Sequence, residues 1–137
     1  MKLLVVDDSA IIRKIIKAAA DVLKMETEEA CDGIEALEKL AELYKEIDLV
    51  LLDWNMPEMS GYDVLVEIKT SDRYKHIPVM MVTTEGQRTN IVAAVRAGAD
   101  NYLTKPFTVE ELESKILECI GGNEENEGDE DGEGDDY

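Results

Sequence analysis

The chain has 137 residues, 45% of them hydrophobic and 34% charged, with a formal net charge of −18. That length suits one domain with a sizeable core, no apolar run approaches the ~20 residues that span a bilayer, and the acidity disfavours nucleic acid as a partner. A cytoplasmic protein that meets cations or basic surfaces is the default expectation.

The first apolar run, Leu3–Val6, is too short for the core of a secretory signal and is cut off by Asp7 and Asp8. It reads as a strand buried on both faces. Ile12, Ile15, Ile16, Ala19, Val22 and Leu23 follow at helical spacing and predict an amphipathic helix. Met25–Ala30 fits a second, more polar strand. A second helix is marked by Ile34, Leu37, Leu40, Ala41 and Tyr44. Asp48–Leu52 is another doubly buried strand, and Val64, Leu65 and Ile68 carry a shorter helix. Pro78–Val82 is the third apolar strand. Ile91, Val92 and Val95 mark a helix that Gly98 ends as a C-cap. Ala99–Leu103 is a polar strand, and Leu112, Ile116, Cys119 and Ile120 mark the last helix, opened by the capping box Thr108-Val-Glu-Glu111.

After Gly121–Gly122 the composition changes. Residues 121–137 hold nine acidic and no basic residues, with no apolar side chain before Tyr137, so this segment is predicted to be a disordered, solvated acidic tail. It could also compete for a basic patch on a partner. Residues 1–120 form the predicted domain. Cys31 and Cys119 lack metal or framework spacing and read as free buried thiols. His76 reads as a surface loop residue with no chemistry.

Alternating strands and helices imply a parallel α/β sheet with helices on both faces. The three apolar strands belong in the centre, the two polar ones at the edges. With right-handed crossovers this favours the order 2-1-3-4-5. The switch point then lies between the first and third strands, at their carboxyl ends, where such sheets bind ligands. One of these strands ends in Asp7 and Asp8, the other in Asp53. Thr83 ends the fourth strand, and Lys105 follows the fifth.

Each of these residues alone is ordinary. Asp7-Asp8 could cap a helix, Asp53 a turn, and Lys105 could be a solvated lysine. Together, the three carboxylates need a counter-charge, because two unit charges at 4 Å repel by ~4 kcal/mol at an effective dielectric of 20. Carboxylate oxygens suit Mg2+, which retains waters and accepts phosphate oxygens. A phosphoryl group on one carboxylate would be held by that ion, the Lys105 ammonium and the Thr83 hydroxyl. Asp53 is the best nucleophile, because it leads into an open loop, Trp54–Gly61.

The runs Val5-Val-Asp-Asp-Ser9, Leu51-Leu-Asp-Trp-Asn-Met-Pro57, Pro78-Val-Met-Met-Val-Thr-Thr84 and Ala97-Gly-Ala-Asp-Asn-Tyr-Leu-Thr-Lys-Pro-Phe107 resemble response-regulator receiver domains across residues 1–120. The tract around Asp53 is most similar to the single-domain chemotaxis regulators of that family. The resemblance implies a flavodoxin-like (βα)5 fold and a module that is not an enzyme but assists its own phosphorylation and dephosphorylation. It implies Asp53 as phosphoacceptor. Asp7 and Asp8 would hold Mg2+, with Asp8 the more direct ligand, and Asp53 and the Asn55 backbone carbonyl would complete the set. Lys105 would contact the phosphoryl group, Thr83 would move to it, and Tyr102 would turn inward as part of the switch. The Lys105–Pro106 bond would be cis.

A histidine kinase is the implied phosphodonor, and a phosphatase a further partner. Output is expected through protein contact on the Glu85–Ala97 helix, the last strand and the last helix, to a flagellar motor switch protein. The alternative output is transfer to a histidine phosphotransfer protein in a phosphorelay. Trp54, beside Asp53, is an expected optical reporter. Thr84 stands where the family often has Ala or Gly, so its bulk is expected to slow loss of the phosphoryl group. A Mg2+-dependent aspartyl-phosphate phosphatase is a weaker reading, since such enzymes use an Asp-x-Asp arrangement and here the pair is adjacent.

Overall fold

The computed structural model describes residues 1–84 and 88–128. Its elements run β1 (Lys2–Val6), α1 (Ala10–Val22), β2 (Glu26–Ala30), α2 (Gly33–Leu43), β3 (Leu49–Asp53), α3 (Gly61–Lys69), β4 (Val79–Thr84), α4 (Arg88–Arg96), β5 (Asn101–Lys105) and α5 (Val109–Gly128). The strands form one sheet in the order β2-β1-β3-β4-β5, every pairing parallel, as the polarity of the strands predicts.

Continuous apolar strands make sense once both faces are followed. Leu4, Val6, Val50, Leu52, Val79 and Met81 pack on the side of α2, α3 and α4. Leu3, Val5, Leu49, Leu51 and Met80 point the other way, against α1 and α5 with Ile16, Leu112 and Ile116. The period of two that splits these runs between two cores leaves no polar face for water. Truncating one of these central leucines to alanine would cost about 2–5 kcal/mol. The edge strand β2 works differently. Its successive glutamates alternate across the sheet: Glu28 meets Lys39 of α2 at 3.1 Å, and Glu29 meets Arg13 of α1 at 2.9 Å.

Helix starts follow local chemistry. Ser9, Asp32 and Ser60 cap α1, α2 and α3, their side-chain oxygens accepting from the amides of Ile12, Glu35 and Asp63. At α5 the capping box closes in both directions, with the Thr108 amide donating to Glu111 and the Glu111 amide donating to the Thr108 hydroxyl, each at 3.0 Å. Gly98 has φ +105, which suits a helix-ending glycine. The Lys105–Pro106 bond is cis.

Several expectations need correction. Strands β3, β4 and β5 run further toward their carboxyl ends than the apolar runs suggest, because ladder pairing continues through polar residues as far as Thr84 opposite Lys105. Lys105, expected just after the last strand, is therefore a strand residue, while Asp53 ends β3 and Thr83 stands at the end of β4 as expected. In α1, Val22 is 68% exposed and Ile15 38%; in α4, Val92 and Val95 are also exposed, and Ala94 fills the core position. Cys31 is exposed, not buried. A hydrogen bond with Glu35 raises its thiol pKa, so it stays a thiol at neutral pH. Cys119 is half-buried, and His76 is exposed as expected.

The predicted boundary at Gly121–Gly122 does not interrupt α5, whose backbone continues to Gly128. An established helix propagates by one hydrogen bond per residue, and each glycine costs only about 1 kcal/mol relative to alanine. The remainder of the predicted tail, 129–137, lies outside the described residues, as do residues 85–87 of the predicted output segment.

Candidate functional site

The site is built where β1 and β3 end side by side. Asp7 is fixed at four points. Its amide donates to the Ala30 carbonyl at 3.1 Å, and its own carbonyl accepts from Arg13 at 2.7 Å. Its Oδ1 accepts from the Ser9 amide at 2.9 Å, which ties it to the cap of α1. Its Oδ2 faces Lys105 Nζ at 3.2 Å. Asp7 is therefore not the helix cap, which is Ser9; one of its oxygens braces the cap residue and the other is left for the site. Asp8, next along, is exposed.

Asp53 is the last residue of β3 and is only 4% exposed. Behind it the chain turns so tightly that the Gly61 amide donates to the Trp54 carbonyl at 2.8 Å. A Cβ on Gly61 would lie 2.0 Å from the Asp53 carbonyl oxygen. Only glycine lets α3 begin this close to the strand end. Glu58 supports the same turn with φ 69. Trp54 is half-buried and lies against Tyr62, ring centroids 5.4 Å apart.

Carboxylate oxygens of Asp7, Asp8 and Asp53 lie within 4.8 Å of one another. Lys105 reaches in from the end of β5 and bridges two of them, 3.1 Å from Asp53 Oδ1 and 3.2 Å from Asp7 Oδ2. Burial pushes the Asp53 carboxyl up from 3.8 to about 6; the Asp7 carboxylate adds to that rise and Lys105 opposes it. Burial also works against the Lys105 ammonium, yet Asp53 and Asp7 outweigh it and raise the lysine pKa. With all three carboxylates ionised, Lys105 leaves two negative charges uncompensated, which is the charge of one divalent cation. A compact, all-oxygen donor set fits a hard ion of the Mg2+ type.

The Thr83 side chain is buried, and its hydroxyl has no hydrogen-bond partner among the described residues. A buried hydroxyl without a partner is costly, and the Thr27 hydroxyl at the edge strand is in the same position; a water or another group from outside the chain would satisfy either. Asn55 sits two residues beyond Asp53 in the exposed loop, its amide nitrogen 3.5 Å from the Thr84 hydroxyl. Tyr102 points outward, 38% exposed, with Lys115 Nζ 5.1 Å from its ring centroid.

Sequence reasoning brought together Asp7, Asp8, Asp53 and Lys105, and the structure juxtaposes all four. It missed Arg13, which pins the Asp7 carbonyl, and Gly61, which supports Asp53. The only signal for Arg13 was a cation one turn into α1 opposite a glutamate-rich strand, which the neighbouring Lys14 and Lys17 did not distinguish.

Comparison with known proteins defines the class. The family model of the response regulator receiver domain matches residues 3–117, and the chain belongs to that family. It is a two-component signalling module, and the general function of receivers is to accept a phosphoryl group from a kinase. Receivers generally use Mg2+ at an acidic site such as this one.

Among curated relatives, the chain is 43% identical over 125 residues to chemotaxis protein CheY1 of Helicobacter pylori, covering 90% of this chain and all of that protein. It is 44% identical over 117 residues to chemotaxis protein CheY of Pseudomonas aeruginosa, covering 85% and 93% respectively. Among solved structures it is similar to the chemotaxis protein CheY4 of Vibrio cholerae, with TM-score 0.78, 34% identity and coverage of 87% and 97%. A receiver domain protein of Clostridium thermocellum gives TM-score 0.81 at 34% identity, covering 90% and 96%.

Proposed function

We propose that residues 1–120 are a receiver phosphorylated on Asp53 in a Mg2+-dependent reaction, and that the module signals by changing its protein contacts, in chemotaxis. The observation that carries this reading is the convergence of three carboxylates, one bridging ammonium and one unpartnered buried hydroxyl at a single sheet edge. Identity of 39–44% to proteins named for chemotaxis supports the pathway. No described helix is long and apolar enough to cross a membrane, in keeping with a cytoplasmic signalling protein.

Asp8 and Asp53 would hold the metal directly, Asp7 would support it, and the Asn55 backbone carbonyl would complete the protein ligands. When bound, the ion neutralises charge on the transferring group. The Asp53 carboxylate attacks phosphorus. The new O–P bond replaces the N–P bond of a kinase phosphohistidine, whose imidazole leaves and takes up a proton. Lys105, already 3.1 Å from Asp53, turns from its carboxylate partners to the equatorial phosphoryl oxygens. Thr83 donates its hydroxyl to another of these oxygens, and Tyr102 moves inward behind it. That change biases the surface of α4, β5 and α5 between two states. Hydrolysis, assisted by the module itself and by a phosphatase, resets it. On this reading the module is a self-assisting phosphoacceptor and not an enzyme.

The partners are a histidine kinase and, for output, a flagellar motor switch protein. One observation favours the second reading, a relay to a histidine phosphotransfer protein. Ile11 and Ile15, 71% and 38% exposed, stand on the first turns of α1 beside the acidic site and offer apolar footing for a helical phosphodonor or acceptor. Transfer from the phosphorylated chain to a purified phosphotransfer protein would separate the two outputs.

The decisive test of the site is Trp54 fluorescence, titrated with Mg2+ and then beryllofluoride, in wild type and Asp53→Asn. Two successive responses in the wild type and no beryllofluoride response in the variant are expected. An unaltered response in Asp53→Asn would place the chemistry elsewhere.

A further inference from the structure

At the pole opposite the acidic site, the last packed turn of α5 forms one wall of a groove of about 600 Å3. Cys119 and Ile120 line that wall; Tyr44 and Lys45, just past α2, line the other. Two cations flank the Tyr44 ring, with Arg73 Cζ 5.3 Å and Lys45 Nζ 6.0 Å from its centroid. Lys75 stands nearby and pairs with Asp72 at 3.2 Å.

Two further acids of this pole are already engaged. Asp48 accepts from the Lys2 amide at 2.8 Å, and Glu46 takes the Lys2 ammonium at 2.8 Å. Lys45 and Arg73 have no carboxylate within 4.0 Å among the described residues. In a chain of net charge −18, these two cations stand without an ion pair among the described residues.

The chain turns acidic directly after Ile120, at the wall of this groove. Residues 121–137 contain nine acidic residues and no basic one, six of them in 129–137. Beyond Gly121, α5 advances only about 10 Å to Gly128 at 1.5 Å per residue. Residues 129–137 have a contour of about 30 Å. The reach exceeds the distance to be retraced, and the charges are complementary.

We propose that residues 129–137 dock in cis across this groove, with their carboxylates against Lys45, Arg73 and Lys75. The tether presents the acidic segment at an effective concentration of order millimolar, so weak exposed ion pairs are sufficient. The contact is screened by salt and independent of Asp53, which lies at the other end of the sheet. An acidic peptide from another protein would meet this corner already occupied.

Zero-length carbodiimide coupling on the full chain at low ionic strength, read by peptide mass spectrometry, tests this. Amide cross-links from Lys45 and Lys75 to carboxylates of 129–137 are expected. They should be intramolecular in a mixture of 14N- and 15N-labelled protein, and they should be lost in about 0.5 M NaCl, where the screening length falls to about 4 Å. Arg73→Gln keeps both lysines as reporters and should lower the yield roughly two- to five-fold, the loss expected of one exposed ion pair. Cross-links confined to Lys14, Lys17 and Lys24 of α1 would overturn the proposal. So would cross-links only between molecules, none at all, or a yield unmoved by Arg73→Gln.

Discussion

Replacing Asp53 with asparagine should make the metal-free protein more stable. Folding raises the Asp53 pKa from 3.8 to about 6, a cost set first by burial and next by the Asp7 carboxylate, after the help of Lys105. The folded state therefore favours the neutral acid. As pH rises through the window from about 4 to about 6, the unfolded chain releases its proton first, and the native state loses stability. Above about 6 the deficit is complete. At 1.36 kcal/mol per pKa unit, a rise of about 2 units corresponds to about 3 kcal/mol.

Asparagine is nearly isosteric, carries no charge and escapes that cost. Asp53→Asn should gain up to about 3 kcal/mol at pH 7.5 in EDTA, on the order of 10 °C in midpoint for a domain of this size. The gain should vanish below about pH 4. Mg2+ binds the folded wild type and should narrow the gap. Thermal unfolding followed by circular dichroism, across pH and with and without Mg2+, measures all of this. An Asp53→Asn variant no more stable than wild type at pH 7.5 in EDTA would refute the electrostatic reading of the site.

Gly61→Ala should destabilise the fold by about 3 kcal/mol and weaken Mg2+ binding, because the new methyl would meet the Asp53 carbonyl at 2.0 Å; urea unfolding and a Trp54 titration read both effects. Mg2+ affinity should fall about tenfold per pH unit below about 6, where Asp53 holds its proton, and level off above; isothermal titration across pH 5–8 measures the profile. Thr84→Ala should speed loss of the phosphoryl group several-fold, since Thr84 is exposed at the end of β4 within 3.5 Å of Asn55; an unchanged decay of the phosphorylated protein would remove Thr84 from the site.

How much of this could be read in advance depended on which residues carried the signal. The strand order was legible because β2, Glu-Thr-Glu-Glu-Ala, cannot sit in the centre of a doubly covered sheet, whereas Leu49–Leu52 can sit nowhere else. The carboxylate cluster followed from that order alone. The helix faces were less legible. In α1 apolar residues occupy two adjoining stripes, and periodicity cannot say which one meets the sheet; Ile16, Ala19 and Ala20 do, while Ile11 and Val22 do not. In α4 the small Ala94 takes the core position and the larger valines face outward, the reverse of a size-based expectation. The end of the last strand was misjudged because Thr104 and Lys105 are polar yet remain in the ladder. The roles of Arg13 and Gly61 depend on contacts across 6 and 8 residues of turn, and no periodic pattern reports such contacts.

The claim on which the rest depends is that Asp53 accepts the phosphoryl group. Incubation of the full chain with acetyl phosphate and Mg2+, followed by borohydride reduction and peptide sequencing, tests it directly, since an aspartyl phosphate is reduced to homoserine at the modified position. Homoserine at position 53, dependent on Mg2+, is the predicted result. Homoserine at position 7 or 8 instead, or none under any divalent ion, would contradict it.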